Sequence, residues 1–162
     1  MTTPQDLERA LWKGIESDRT LMLGLDGHDD DHMRPMTALI EDGKGPIWIF
    51  TSADNGMVVR LGGGSARARA CYAAKGHGLF ACIDGPIEVD NDREIIDRLW
   101  NPFVAAWYEG GKSDPSLRLL RFDAEHAHVW QNESTLMAGI HLLFGRDPKK
   151  TYADKTAEVD LR

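Results

Sequence analysis

The sequence predicts a mainly β, α+β domain. The expected form is a closed or nearly closed antiparallel barrel of about six strands with peripheral helices. Three observations predict it. Six or seven short runs carry the alternation or β-branched and aromatic content of strands. Several of the linkers between them are glycine- and aspartate-rich turn material. The strands do not alternate regularly with helices, which excludes a doubly wound parallel sheet.

The elements follow in order. Thr3-Pro4-Gln5-Asp6 reads as a helix start, with a capping hydroxyl, a proline suited to the first turn and an acid at the positive end of the dipole. Leu7, Ala10, Leu11, Gly14 and Ile15 continue at helical spacing. Strands are expected at Thr20–Leu25, at 33–40 and at 47–52, joined by turns at 26–32 and 41–46 into an antiparallel meander. The period then changes. Residues 53–61 suit a short helix with Met57, Val58 and Leu61 inward, ended by Gly62-Gly63-Gly64. Strands at 67–73 and Leu79–Val89 follow, joined by Lys75-Gly76-His77-Gly78. Asp90 or Asn91 can cap a helix carrying Ile95, Ile96, Leu99 and Trp100. Pro102 breaks or kinks it, and 103–108 continue as another helical turn. The last strands are expected at 116–122 and 126–131. Ser134 can then cap a helix with Leu136, Met137, Ile140, Leu143 and Phe144 on one face. Residues 1–145 read as one domain and 146–162 as a polar, loose tail.

Composition narrows the function. The chain has 162 residues, enough for one domain with a sizeable core. A net charge of −7 argues against nucleic acid as the main partner, because phosphate backbones need a basic surface. No apolar run approaches the ~20 residues of a membrane span, and Met1 to Asp6 show no signal-peptide pattern. The two cysteines, Cys71 and Cys82, have no zinc-site spacing. They are expected as reduced core residues of a cytoplasmic protein.

Two stretches carry candidate chemistry. Arg34 opens a strand and shares a face with Met36, Ala38 and Ile40. A guanidinium aimed into an apolar interior needs an anion, and a phosphate would serve; a strand-end arginine reaching solvent or a carboxylate is the other reading. Ile47-Trp48-Ile49-Phe50-Thr51-Ser52 ends in two hydroxyls that lead towards a helix start. They suit either an anion cradle or simple capping.

Arg34-Pro35-Met36, a glycine-rich turn and Ile49-Phe50-Thr51-Ser52 together resemble the pyridoxamine 5'-phosphate oxidase-like superfamily, and more closely its general stress protein 26 branch. Later stretches extend the resemblance. They are Gly85-Pro86-Ile87-Glu88-Val89, Leu99-Trp100-Asn101-Pro102, Ala106-Trp107-Tyr108-Glu109-Gly110-Gly111-Lys112, and Leu119-Leu120-Arg121-Phe122 with Ala124 to Trp130. The order and spacing over about residues 5–145 carry the likeness, more than any one motif. It implies a split β-barrel that holds FMN at the interface of a homodimer. By that similarity Arg34 holds the FMN phosphate. Pro35, Met36 and Thr37, with Phe50 and Thr51, line the isoalloxazine and ribityl chain. Trp130 lies close to the flavin of the partner subunit, or is a plain core or interface tryptophan. The implied function is FMN-dependent redox chemistry on an unknown small molecule. The alternative is a flavin-holding stress protein without rapid turnover. No catalytic residue stands out.

The chain departs from the family where a basic residue often follows the threonine. Asp54-Asn55-Gly56-Met57 stands there instead. Arg60, Arg67 or Arg69 can substitute, or Asn55 and Ser52 can hold a phosphate by neutral hydrogen bonds. On this register Met57→Lys is expected to tighten FMN binding; if Met57 is instead a packed core residue of the short helix, lysine destabilises the fold and weakens binding. Nothing after Trp130 matches the substrate grip of true vitamin B6 oxidases, so pyridoxamine phosphate is not the expected substrate. His28, Asp30 and His32 alternate in one loop, as a solvated turn more readily than a metal site, and no metal is expected. His77 reads as a surface turn residue. Trp100, Phe103, Trp107 and Tyr108 read as core or dimer contacts.

Overall fold

The computed structural model describes residues 2–27, 32–132 and 155–162. The first helix, α1 (Pro4–Asp18), begins with a reciprocal cap: the Asp6 N–H donates to the Thr3 hydroxyl and the Thr3 N–H to the Asp6 carboxylate. Leu7, Leu11, Trp12 and Ile15 form its buried stripe. Arg19 ends it in the left-handed region, with φ 61°.

The strands that follow are β1 (Thr20–Leu25), β2 (Arg34–Thr37), β3 (Leu39–Glu41) and β4 (Lys44–Ser52). The short helix α2 (Gly56–Leu61) precedes β5 (Ser65–Ala73) and the long strand β6 (Leu79–Val89). Helices α3 (Arg93–Leu99) and α4 (Pro102–Ala105) lead to β7 (Leu117–Phe122), β8 (His126–Gln131) and β9 (Thr156–Asp160). The hydrogen-bonded order is β2-β1-β5-β6-β7-β4-β3, with β8 on β6 and β9 on β8, and the pairs are antiparallel. The two ends of that path, β2 and β3, are consecutive in sequence and separated only by Ala38. The curled sheet is therefore closed at this point by the chain itself, not by a ladder. This is the split barrel.

Several expectations change in detail. The run 33–40 is two strands, and the three-strand meander is two hairpins, β1–β2 and β3–β4. The Ala38 N–H donates to the Arg19 carbonyl at 2.7 Å, one step beyond the Thr20–Thr37 pair in the same register, so the β1–β2 ladder runs on to Ala38 and the chain then changes partner to β4. Helix α3 is capped by Asp92, whose carboxylate accepts from the Glu94 and Ile95 N–H groups. Asn91 instead accepts from the Leu119 N–H, and the Asp90 N–H donates to the Leu119 carbonyl, so both predicted caps serve β7. Pro102 starts a helix, with Asn101 as its cap. The tail expected to be loose contains β9, whose Val159 is 4% exposed and joins the core. The helix expected from Ser134 lies outside the described residues.

Alternation sorts the side chains into two clusters. Ile47 and Ile49 of β4 face the main core with Leu21, Leu23, Ala70, Ile83 and Phe122. Trp48 faces the other side, where Leu39, Ile96, Tyr108, Leu117 and Leu119 form a second cluster packed with Phe50 and Trp100. Trp100 and Tyr108 are thus core, as expected, while Phe103 and Trp107 stand 82% and 84% exposed. Cys71 and Cys82 are not core: they are half-buried, and their inward-facing neighbours are Ala70, Tyr72, Ala81 and Ile83.

Two residues of this frame generate predictions. Gly85 lies where β6 exchanges β8 for β7, and the Asp123 carbonyl sits where a Cβ would go. Gly85→Ala therefore forces backbone apart. Chemical denaturation should show a loss of about 3 kcal/mol or more, at the upper end of overpacking costs; a loss under about 1 kcal/mol would show that the β7–β8 turn yields freely. Met57 is fully buried in the main core. The expectation that Met57→Lys tightens FMN binding is overturned, because the side chain points away from any phosphate and into hydrocarbon. The ammonium would be desolvated without a partner, so a loss on the order of 3 kcal/mol is expected, with a lower Tm at both low and high salt.

Candidate functional site

The candidate site lies where β2 and β4 run side by side without a ladder. The β3–β4 pairing stops at Leu39 and Trp48. Beyond it β2 turns to β1, pairing Arg34 with Leu23 and Met36 with Leu21. Directly opposed residues in an antiparallel pair share a face. Both leucines are fully buried, so Arg34 and Met36 point inward, as the sequence pattern predicts. Pro35 and Thr37 point outward and are exposed.

On the other lip, the Ala53 N–H donates to the Ser116 carbonyl beside β7. Alternation of the ladder then turns the backbone amides of Phe50 and Ser52 towards β2. The slit thus presents main-chain polar groups of Phe50 and Ser52 on one side and the β2 backbone on the other. The Thr51 carbonyl points the opposite way and accepts the Tyr108 hydroxyl at 2.7 Å. Thr51 itself is 7% exposed. Burial pushes the Tyr108 phenol up, and its hydrogen bond with Ser52 opposes that shift. The Ser52 hydroxyl is therefore drawn to Tyr108, and the phenol pins this end of β4. The Phe50 ring meets Trp100 edge-on, with centroids 5.9 Å apart.

At the end of the slit the guanidinium of Arg34 lies over Gly56, the first residue of α2. A Cβ on Gly56 would come within 3.2 Å of Nη2, and Nη1 is shielded from solvent. Asn55 caps α2, its Oδ1 accepting from the Met57 N–H at 3.0 Å. The carboxamide is then oriented with its Nδ2 as the remaining donor. Arg34 and Gly56 therefore meet at one end of the slit, next to Asn55 and the turn in which the Asn55 N–H donates to the Ser52 carbonyl. This donor set fits a phosphate: a delocalised cation with neutral donors beside it. The space that lets the guanidinium lie against the backbone exists because residue 56 has no side chain.

The remaining candidates lie elsewhere. Arg67 is bound to Asp84 and Glu125, at 2.8 Å each, and Arg69 approaches Asp26 at 3.7 Å. Both project from the outer face of β5 and do not reach the slit. Arg60 is on the exposed side of α2. Trp130 is also on the outer face, stacked on His128 with centroids 4.3 Å apart, and it lines a groove with Met22, Cys71, Phe80 and Cys82. Within one chain Trp130 and Arg34 are on opposite faces of the sheet. His77 occupies a turn against Phe80. His32 is exposed, and His28 and Asp30 lie outside the described residues. Among the described residues, no three His, Cys, Asp or Glu side chains converge as metal ligands, and no helix is long and apolar enough to cross a membrane. Sequence reasoning missed Gly56 and Tyr108. The signal for the first was the Asn55-Gly56 pair at a helix start; for the second there was none beyond an aromatic at a helix end.

Comparison with known proteins agrees with this geometry. A family model described as pyridoxamine 5'-phosphate oxidase like matches residues 6–152. No curated protein matches the chain. Among solved structures, the general stress FMN/FAD binding protein of Xanthomonas citri is 55% identical, with 81% of this chain and 92% of that one covered and a TM-score of 0.76. A general stress family protein of Xanthomonas campestris pv. campestris is 54% identical, with coverages of 83% and 93% and a TM-score of 0.77. A general stress protein 26 of Jannaschia sp. CCS1 is 26% identical over 98% and 99% of the two chains, with a TM-score of 0.81. The split barrel, the slit beside Arg34 and these likenesses place the chain in the pyridoxamine 5'-phosphate oxidase-like family, in its general stress protein 26 branch.

Proposed function

We propose that this protein binds FMN in the slit between β2 and β4, in a site completed by a second copy, and acts as a redox flavoprotein. One observation carries the reading: the half-buried Arg34 lays its guanidinium at the end of the slit, with Nη1 shielded from solvent, over a residue that has no Cβ. Such a cation suits the terminal monophosphate of FMN, and a relative at 55% identity is an FMN/FAD binding protein. FMN supplies the hydride and electron chemistry when bound. The chain's part is binding and orientation. Arg34 and Asn55 hold the phosphate end, and the backbone of Phe50 and Ser52 faces the ring and ribityl chain. The β2 residues Pro35, Met36 and Thr37 border the opposite side.

The second copy is invoked for two reasons. Trp130 cannot reach the slit of its own chain. Large apolar groups also stand exposed on α2, on α4 and in the turn after it, with Val59 at 64%, Phe103 at 82% and Trp107 at 84%. A second reading, a flavin-holding stress protein without rapid turnover, is favoured by one feature. Arg67 and Arg69 are engaged on the other face, and Met57 is core, so the family's second cation on the phosphate has no obvious replacement in either.

Fluorescence titration of the apoprotein with FMN and with riboflavin tests the phosphate assignment. Arg34→Ala should weaken FMN about ten- to a hundredfold, the loss of one charge-assisted contact. Riboflavin, which lacks the phosphate, should be affected far less. Equal losses for both would remove Arg34 from the phosphate. Anaerobic bleaching of the bound flavin by NADH or NADPH, followed by turnover with an acceptor, supports the redox reading; a flavin that stays oxidised favours the second one.

Sedimentation at micromolar concentration tests the shared site. A dimer is expected, with Trp130→Ala changing the quenching of bound flavin. A monomer that binds FMN with undiminished affinity would overturn it.

A further inference from the structure

The outer face of the sheet carries a pair of thiols that the flavin reading does not use. Cys71 of β5 and Cys82 of β6 are direct register partners. The Ala74 N–H donates to the Leu79 carbonyl at 2.9 Å, which makes Ala74 and Leu79 a hydrogen-bonded pair. Counting back along the ladder, Ala73 and Phe80 are non-bonded, Tyr72 and Ala81 bonded, and Cys71 and Cys82 non-bonded. The β6–β8 pairing gives the same phase, because the Asn132 N–H donates to the Gly78 carbonyl and so turns the backbone of Cys82 towards β8. Non-bonded antiparallel partners have Cα atoms about 4.5 Å apart and side chains at their closest. That separation lies within the ~4.4–6.8 Å that a disulfide spans.

The surroundings fit a reactive pair. Both thiols are free, half-buried and directed into an outer groove of about 630 Å³, lined also by Met22, Phe80 and Trp130. Burial and the neighbouring Cys82 push the Cys71 thiol up.

We propose that Cys71 and Cys82 form a cross-strand dithiol that a hydroperoxide oxidises to an intrachain disulfide. The Sγ of one cysteine attacks the terminal peroxide oxygen. The O–O bond breaks, the alcohol or water leaves with the thiol proton, and that cysteine becomes a sulfenic acid. The Sγ of the other then attacks the oxidised sulfur. The S–S bond forms, the S–O bond breaks, and hydroxide leaves with the second thiol's proton as water. Two thiols lose two electrons and two protons in all, and the hydroperoxide becomes an alcohol and water. An external dithiol reverses the change by thiol–disulfide exchange. Nothing in this step draws on bound flavin.

Hydrogen peroxide on the full chain is the probe. Titratable thiols should fall from two to none, and non-reducing peptide mapping should find Cys71 joined to Cys82 within one chain, both reversed by dithiothreitol. Cys71→Ser and Cys82→Ser should each form no intrachain link and stop at a sulfenic acid on the remaining cysteine that dimedone traps. Both variants are near-isosteric, and the thiol count on the unmodified protein stands without them. Thiols that remain titratable in the folded protein, a link only between chains, or over-oxidation of either cysteine with no Cys71–Cys82 peptide would each overturn the proposal.

Discussion

The chain from Arg34 to Glu41 has two sheet edges to satisfy, and it changes between them at one residue. A strand can ladder with one neighbour on each edge, and buried backbone groups left without partners are costly. β2 pairs with β1 and β3 pairs with β4. The N–H of the buried Ala38 between them goes to Arg19, the left-handed cap of α1. That bond holds the branch point, and the helix end that supplies it is itself fixed by the core stripe of α1. The slit is the geometric consequence. Two strands that are adjacent at Trp48 must separate towards Ser52, and an inward arginine at the far end of β2 then lies beside the start of α2 instead of inside a continuous sheet.

The same alternation gives the protein two chemically distinct faces. Inward positions on β1, β5 and β6 are almost wholly hydrocarbon. The outward row at the same level reads Met22, Cys71, Cys82, His128 and Glu158 across five strands. One row further along it reads Ala73, Phe80, Trp130 and Thr156 on β5, β6, β8 and β9. Arg34 belongs to the inner side and Trp130 to the outer one. A one-residue slip in any ladder would exchange these sets, so register decides which chemistry each face presents. Gly85 protects that register, since the Asp123 carbonyl can cross β6 only where a Cβ is missing.

Much of this was legible in the sequence, for identifiable reasons. Elements with strong local signals emerged closely: α1 from its cap and apolar spacing, and Thr20–Leu25 and Leu79–Val89 from their patterns. The inward direction of Arg34 followed from period two alone. What failed was decided by long-range partners. No local pattern could show that the 33–40 run divides at Ala38, because the division is a change of ladder partner from β1 to β4. Asp90 and Asn91 are competent caps, but β7 claims both. The polar tail hid β9, a strand with only Val159 buried, which owes its order to the edge of β8. In the site, Thr51, Ser52 and Asn55 were visible as polar residues after an apolar run. Their division, with Ser52 turned to Tyr108 and Asn55 to the α2 cap, needed the fold.

Met57 shows how packing can exclude a charge that a resemblance suggests. The position falls on the first turn of the helix beside Arg34. Capping by Asn55 fixes the rotation of that turn, and the rotation sends residue 57 into the core with Leu61, four residues on. A charge at 57 could act on the slit only if the helix rotated and withdrew Leu61 as well. On the proposed reading the cradle would instead use Arg34, the Asn55 carboxamide and backbone amides. Such a set would bind by direction more than by charge, because each neutral donor must point at an oxygen to contribute. Recognition would then depend on keeping the two lips of the slit in place. The Tyr108 phenol on Thr51, and the Ala38 amide on Arg19, are the bonds that do so.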